Sequence, residues 1–412
     1  MDAVVKSKAG GPGYAWAIVF AAFLCFGVVF GSVLYSFTVF VNPVAEAFKV
    51  DKTKVVLAFT LLNVGSGILG IGAGRLLQRF PIRWLLVVGL ALLAAGFFGL
   101  SLATSLTQFY LLYGIVIAFS SAMVAPLGAS AIVSNWFATN RGRALTLATL
   151  GTSFGQLIIP KAAAAIMVTG GWQGAYRAIA ILMLIVAVPI AFIVVDRPEH
   201  RGLKAHGAGD GPAPPVQAGH HLASNAEILR RADFWVIALS YLTTVVVYLG
   251  VTATIVPYAR TFGVTPPQAA NMVLCMGIFG IIGKICFATW TDRIGLRNTF
   301  WIAIAMNLLA LILLTTVSGY NVLFAASALV GGSAGAVLPV WPGFVAFRFG
   351  PRALPQVMGL MSPLVLSLQG FGAPVITGMN FRPAYFILMG LLVVSALLSR
   401  NLSKPVAPLA TT

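Results

Sequence analysis

The residue with the greatest chemical consequence in this chain is Lys284, in the segment MGIFGIIGKICFATWTDR. It precedes Asp292 by eight positions, about 12 Å along an α-helix. With Asp292 at the edge of a membrane, Lys284 falls inside the hydrocarbon, where a lysine at a helix centre costs about 2.5–3.5 kcal/mol on insertion scales. No acidic residue is placed to neutralise it. Asp2, Glu46, Asp51, Asp196, Glu199, Asp210, Glu227, Asp233 and Asp292 lie outside the apolar runs or at their rims. The four histidines (His200, His206, His220, His221) all lie in one central segment. A buried ammonium with no carboxylate of its own points to an external anion in a water-filled cavity. Gly277, Gly280, Gly283 and Ala288 around it suit a closely packed helix better than one facing lipid. The alternatives are a lysine that snorkels to the interface and one that sheds its proton. Two other cations lie within apolar runs: Lys161, eight residues from a run's end, and Arg177, one turn into the next run and read as an interfacial anchor.

The same inventory excludes other chemistry. A membrane enzyme needs a nucleophile and base, or metal ligands, at membrane depth. Cys25, Cys275 and Cys286 sit singly in apolar helices, with no metal-ligand spacing. There is no GxxxxGK[ST] loop for ATP. The chain is therefore not read as an enzyme, and no cofactor or metal is expected.

The elements that must hold Lys284 are membrane helices. Of 412 residues, 59% are hydrophobic and 8% charged, against about 25% charged in an ordinary globular protein; mean hydropathy is +0.96. Apolar runs recur throughout and are read as twelve spans, 14–41, 53–77, 82–104, 106–136, 142–169, 172–195, 234–262, 266–291, 298–317, 320–347, 353–378 and 382–399. The first is too long for a signal peptide's apolar stretch and is read as a span. With both termini in the cytoplasm, that side carries 18 of the 26 lysines and arginines, and the outer side carries Lys49, Lys52, Lys54, Arg260 and Arg382. This bias fixes the expected orientation in the cell (inner or plasma) membrane. It also accounts for a net charge of +17 through topology and anionic lipid rather than nucleic acid.

Residues 197–232 (Gly, Pro, Ala and His-rich) read as a flexible cytoplasmic linker, with SNAEILRR as a short interfacial helix starting at Ser224. The linker separates six-helix bundles at 14–196 and 233–400. An offset of 214 residues brings Pro43 onto Pro257, Phe48 onto Phe262, Val50 onto Val264, Arg79 onto Arg293 and Arg83 onto Arg297. Two halves in the same orientation imply a pseudo-two-fold along the membrane normal and a site between them near the midplane.

GKICFATWTDRIGLR resembles the loop signature of the major facilitator superfamily, with Asp292, Arg293, Gly295 and Arg297 supplying it. The first copy, GAGRLLQRFPIR, has Gln78 in the Asp position and Pro81 in the Gly position. The resemblance implies a cytoplasmic gate built from Arg79, Arg83, Asp292, Arg293 and Arg297, its first copy short of one ionic contact. YSFTVFVNPVAEAF, NWFATNRGRALTLATLGTSFG and GGWQGAYRAI look like the monocarboxylate transporter and oxalate:formate antiporter branch. In that branch the position of Lys284 holds an arginine that binds substrate carboxylate; lysine keeps the charge without the bidentate fork. Oxalate-type members add a second cation at the position of Val365. Proton-coupled members carry an Asp where Gly280 stands. Gly142, Gly151 and Gly155 have the spacing of the superfamily's antiporter motif, although Gln156 replaces its Pro; close helix approach is the simpler role for them.

The fold expected is thus all-α, twelve transmembrane helices in two halves, functioning as a monomer. In this fold spans 1, 4, 7 and 10 mostly line the cavity. Candidate liners are Tyr35 and Ser36, Ser130, Tyr248 and Thr252, and Trp341, with Gln369 in span 11; Asn63 and Gln156 are candidates for bonds between helices. The expected function is secondary transport of a small monocarboxylate bound at Lys284. Anion exchange or uniport is favoured over proton symport, since the spans hold no carboxylate or histidine to carry a proton; an unneutralised cation would slow the return of an unloaded carrier and make exchange obligatory. Proton symport of another carboxylate and oxalate/formate-type exchange remain the alternatives. A non-transporting sensor would want a substantial soluble output domain.

Overall fold

The computed structural model describes residues 12–207, 224–316, 319–369 and 381–402, with Ile376 and Met379. Among the described residues, ten helices are long and apolar enough to cross a membrane. Span 1 runs Pro12–Val29 and continues through a π-helical turn, Phe30–Tyr35, before a separate helix, Phe37–Phe48. Spans 2 and 3 are Lys52–Arg79 and Ile82–Ser101. Span 4, Leu106–Trp136, is interrupted by two π-helical turns, Leu112–Ile117 and Met123–Gly128. Spans 5 and 6 form one element, Arg141–Ile193, broken at Gly171, whose φ of +63° suits glycine. That break falls between the runs expected at 142–169 and 172–195.

Spans 7 to 10 are Ala232–Arg260, Pro266–Ile294, Leu296–Thr316 and Tyr320–Phe349. Span 11 is described as the shorter apolar helix Leu354–Leu368, and span 12 is Phe381–Leu398. Short polar caps start several of these helices. Asp51 accepts the Thr53 amide at 2.7 Å, and hydrogen bonding by Thr53 holds its carboxyl below the usual range. Ser105 accepts the Gln108 amide, and Thr265 with Gln268 forms a capping box.

The alternation of spans gives the bundle two unlike faces. One carries the loops with Arg79, Arg83, Arg141, Arg143, Arg293, Arg297, Arg348 and Arg352 and is called here the arginine-rich face; the other carries Lys49, Lys52, Lys54, Arg260 and Arg382. On the arginine-rich face the halves repeat a tie. The Arg83 backbone N–H donates to Asp196 Oδ1 at 2.8 Å, joining the loop after span 2 to the end of span 6. Arg297 Nη1 donates to the Arg400 carbonyl at 3.2 Å, joining the loop after span 8 to the end of span 12.

The central segment differs from a wholly flexible linker. Pro198–Arg201 forms a 3₁₀ turn, Arg201 covers the Tyr14 ring, and His206 bridges to Phe137 through backbone hydrogen bonds. Aromatic and cation contacts with Tyr14 and Phe137 therefore dock 198–207 onto the first half. The short helix expected after Ser224 is present as Asn225–Arg230. His220, His221 and Asp210 lie outside the described residues.

Candidate functional site

Lys284 does not snorkel. Its side chain is 2% exposed, at the junction of spans 5 and 8. Glycines bring the backbones close enough for this. A Cβ at Gly335 would collide with the backbone of Gly283 and Lys284, so span 10 presses directly on span 8. On the other side Gly151 and Gly155 pack against Phe23 and Gly27 of span 1, the close approach expected of that spacing.

The ammonium finds three acceptors, all on span 5 and so all in the other half. Lys284 Nζ donates to the Thr152 hydroxyl at 2.6 Å, the Ser153 hydroxyl at 2.7 Å and the Thr149 carbonyl at 3.1 Å. The Thr152 hydroxyl donates its own hydrogen bond to the Thr149 carbonyl at 2.9 Å, leaving a lone pair for the lysine. Positions 149, 152 and 153 share one face of a helix because they are three and four residues apart. The three N–H groups of an ammonium are thereby matched by three neutral acceptors. Arg348 pairs with Asp233 at 3.7 Å, well away from Lys284 in sequence.

Beside the ammonium is a small cavity of about 20 Å³, room for about one or two waters. Both halves line it: Tyr35, Ser153 and Gln156 from the first, Tyr248, Thr252 and Lys284 from the second, with Met276, Gly277 and Gly280 along span 8. The π-helical turn of span 1 ends at Tyr35, at the cavity wall. The Thr252 hydroxyl is turned to the Tyr248 carbonyl, 2.7 Å away.

The structure thus brings Lys284, Tyr35, Tyr248 and Thr252 together and leaves other sequence candidates apart. Trp341 is buried in its own half, stacked on Tyr241 with its N–H directed at Met361 Sδ. Ser130 is fully buried, its hydroxyl without a hydrogen-bond partner. Ser36 bonds the Gly31 carbonyl of its own helix, and Gln369 lies at the end of span 11; neither borders the cavity. Asn63 bonds Phe59 of its own helix rather than a neighbour, and Gln156 borders the cavity. Sequence reasoning missed Thr149, Thr152 and Ser153. Their signal was present as three small hydroxyl residues on one helical face within the glycine-spaced stretch of span 5.

The halves also meet at the arginine-rich end of spans 2 and 11. Gln78 Nε2 donates to Gln356 Oε1 at 3.1 Å and to the Arg352 carbonyl at 3.5 Å; Gln356 Nε2 donates to Asn225 Oδ1 at 2.8 Å. The residue standing where the loop signature has its Asp therefore joins the halves through neutral amides. Above it, Gly74 packs on Pro355 and Gly70 on Ser362. Arg83 and Arg297 make the ties within their own halves already described. Arg79 and Arg293 end spans 2 and 8, and the side chain of Asp292 lies outside the described residues.

Comparison with known proteins fits this architecture. The family model of the Major Facilitator Superfamily matches residues 15–259 and 249–411. The oxalate:formate antiporter of Oxalobacter formigenes is 26% identical over 74% of this chain and 70% of its own length. Monocarboxylate transporter 11 of Homo sapiens is 27% identical over 95% and 84%. The solved structure of the proton:xylose symporter XylE superposes with a TM-score of 0.73 over 93% of this chain and 95% of that one, at 16% identity. With the family model matching nearly the whole chain in two parts, the chain belongs to the Major Facilitator Superfamily and is a multi-pass membrane transporter, not an enzyme.

Proposed function

We propose that this transporter carries small monocarboxylates by alternating access, with the carboxylate bound at Lys284. The observation that supports this best is a buried ammonium between the halves whose partners are all neutral. One positive charge suits one carboxylate. Tyr35, Tyr248, Gln156 and Thr252 add hydroxyl and amide groups beside apolar ring faces, which suit the short alkyl or hydroxy-alkyl body of a lactate-like acid. The relatives lend support, since one is an oxalate:formate antiporter and another a monocarboxylate transporter. For a dianion such as oxalate the branch resemblance asks for a second cation at position 365. Here that residue is a valine buried with no exposed surface, so the monoanion is the better match.

In this reading the arginine-rich face and both termini are cytoplasmic, in the cell inner membrane, and the two bundles 14–196 and 233–400 rock about the site. Closure through Gln78 and Gln356 then shuts the cytoplasmic side, and Arg79, Arg83, Asp292, Arg293 and Arg297 shape the loops that part when it opens. The space beside Lys284 is too small for a carboxylate while span 5 holds the ammonium. Binding therefore exchanges the span 5 acceptors for the carboxylate oxygens.

The test is uptake of radiolabelled lactate, pyruvate, formate and oxalate into proteoliposomes by wild type and Lys284→Ala. Saturable uptake of a monocarboxylate that the variant loses, with the variant still folded, is expected. Undiminished uptake by Lys284→Ala would remove the site, and preference for oxalate would remove the substrate class.

A further inference from the structure

We propose that span 5 carries a built-in stand-in for the substrate. Thr152, with Ser153 and the Thr149 carbonyl, takes the Lys284 ammonium whenever a carboxylate does not, and so lets an unloaded carrier close and return. The inference rests on the reading of Lys284 as the carboxylate site and goes beyond it to the coupling of transport.

Three facts carry it. First, the match is complete: three N–H donors meet three acceptors at 2.6, 2.7 and 3.1 Å. An ammonium brought unpartnered into a dry interface would hold the halves apart, because neither water nor protein would solvate it. Second, every acceptor comes from the opposite half, so the bonds form only when spans 5 and 8 close on each other. Third, Thr152 is oriented for the task. Its hydroxyl proton is committed to the Thr149 carbonyl at 2.9 Å, which presents its lone pair to the lysine.

A carboxylate competes for the same N–H groups, and a cavity of about 20 Å³ does not admit one alongside the span 5 bonds. Two closed forms follow, one with cargo on Lys284 and one with span 5 on it. The second removes the penalty that a bare cation would impose on the return step. Net flux then becomes possible besides exchange, contrary to the slow return expected when the cation is considered without partners. Ser153 borders the cavity and is placed to touch cargo as well. Thr152 is not among the cavity-lining residues, so it acts as a positioning residue for the unloaded state.

The test compares two rates in one preparation: exchange with internal substrate, and net efflux into substrate-free medium. The probe is whichever of labelled lactate, pyruvate, formate and oxalate the wild type takes up fastest. Wild type is expected to show both rates. Thr152→Val keeps the shape and removes the acceptor, so net efflux falls about tenfold or more while exchange stays within about twofold. Thr152→Ser restores efflux. If Thr152→Val does not reach the membrane, Thr152→Ala takes its place. The proposal is overturned if wild type exchanges without net efflux, if the Val variant effluxes normally, or if both rates fall together. Failure of the underlying site is seen separately: Lys284→Ala then exchanges like wild type. Lys284→Ala inactive with normal efflux by Thr152→Val removes the stand-in alone.

Discussion

The halves are joined by two contacts of opposite character. Deep between spans 5 and 8, the Lys284 amino group at 2% exposure is held by two hydroxyls and a carbonyl. At the arginine-rich face, between spans 2 and 11, half-buried Gln78 meets Gln356, which in turn meets Asn225, through neutral amides. The difference lies in what each contact loses when it opens. Parting the amides near the surface exchanges them for water, at a net cost of about 0.5–1.5 kcal/mol per bond. Parting the ammonium from span 5 leaves a charge that must find another partner at once. The deep contact is therefore suited to answer to cargo, and the rim contact to set how often the carrier opens.

Removing the charge is the strongest way to break this comparison. Lys284→Ala is expected to lower proteoliposome uptake at least about a hundredfold, while Gln78→Ala lowers it by less than about tenfold. Similar losses in the two variants would mean that the contacts do the same work. Lys284→Arg should fall between them, near a tenfold loss. Its guanidinium keeps the charge, but its planar fork does not fit three acceptors arranged for a compact ammonium. Uptake at or above the wild-type rate would show that the fit to span 5 is unimportant.

How much of this was legible in the sequence follows the same division. The spans were readable because each must be apolar over a membrane's thickness, and the break between spans 5 and 6 was fixed within a residue or two by Gly170 and Gly171. Lys284 stood out because a charge in an apolar run is costly. Its partners did not, since threonine and serine are ordinary residues in membrane helices and only the crossing of spans 5 and 8 selects Thr149, Thr152 and Ser153. The docking of 198–207 was equally hidden: a Gly and His-rich stretch reads as a linker until Phe137 and Tyr14 are seen beside it. Tyr248 and Trp341 illustrate the remainder. Both are aromatic residues in spans expected to line the cavity, yet helix rotation points one into it and the other at Tyr241 and Met361.

The rim contact can be sharpened from its own side. Gln356→Ala removes the acceptor for Gln78, the one of its two bonds that joins the halves, so the closed form weakens by about 0.5–1.5 kcal/mol. A cysteine at Ser362, which packs on Gly70 in the same seam, should then react faster with a thiol reagent applied from the arginine-rich face. Gln78→Asp should act oppositely if the Arg352 carbonyl and Gln356 are re-paired by nearby arginines, and its effect should shrink as salt is raised. Salt should leave the Lys284 contact unchanged, because buried pairs are poorly screened. Salt dependence at both contacts would show that water reaches the deep one.

The smallest effect is expected at Ser130, where the sequence suggested a cavity liner. Its hydroxyl is fully buried, has no hydrogen-bond partner and lies away from the cavity beside Lys284. A buried hydroxyl left unpaired opposes folding, so Ser130→Ala trades the loss of a little packing for relief from that cost. The variant should melt within about 1 kcal/mol of wild type, on the stabilising side, and transport every substrate at the wild-type rate. A selective rise in KM for one carboxylate, with no change in stability, would instead put Ser130 against the cargo in another state of the cycle. It would also extend the site from the junction of spans 5 and 8 into span 4.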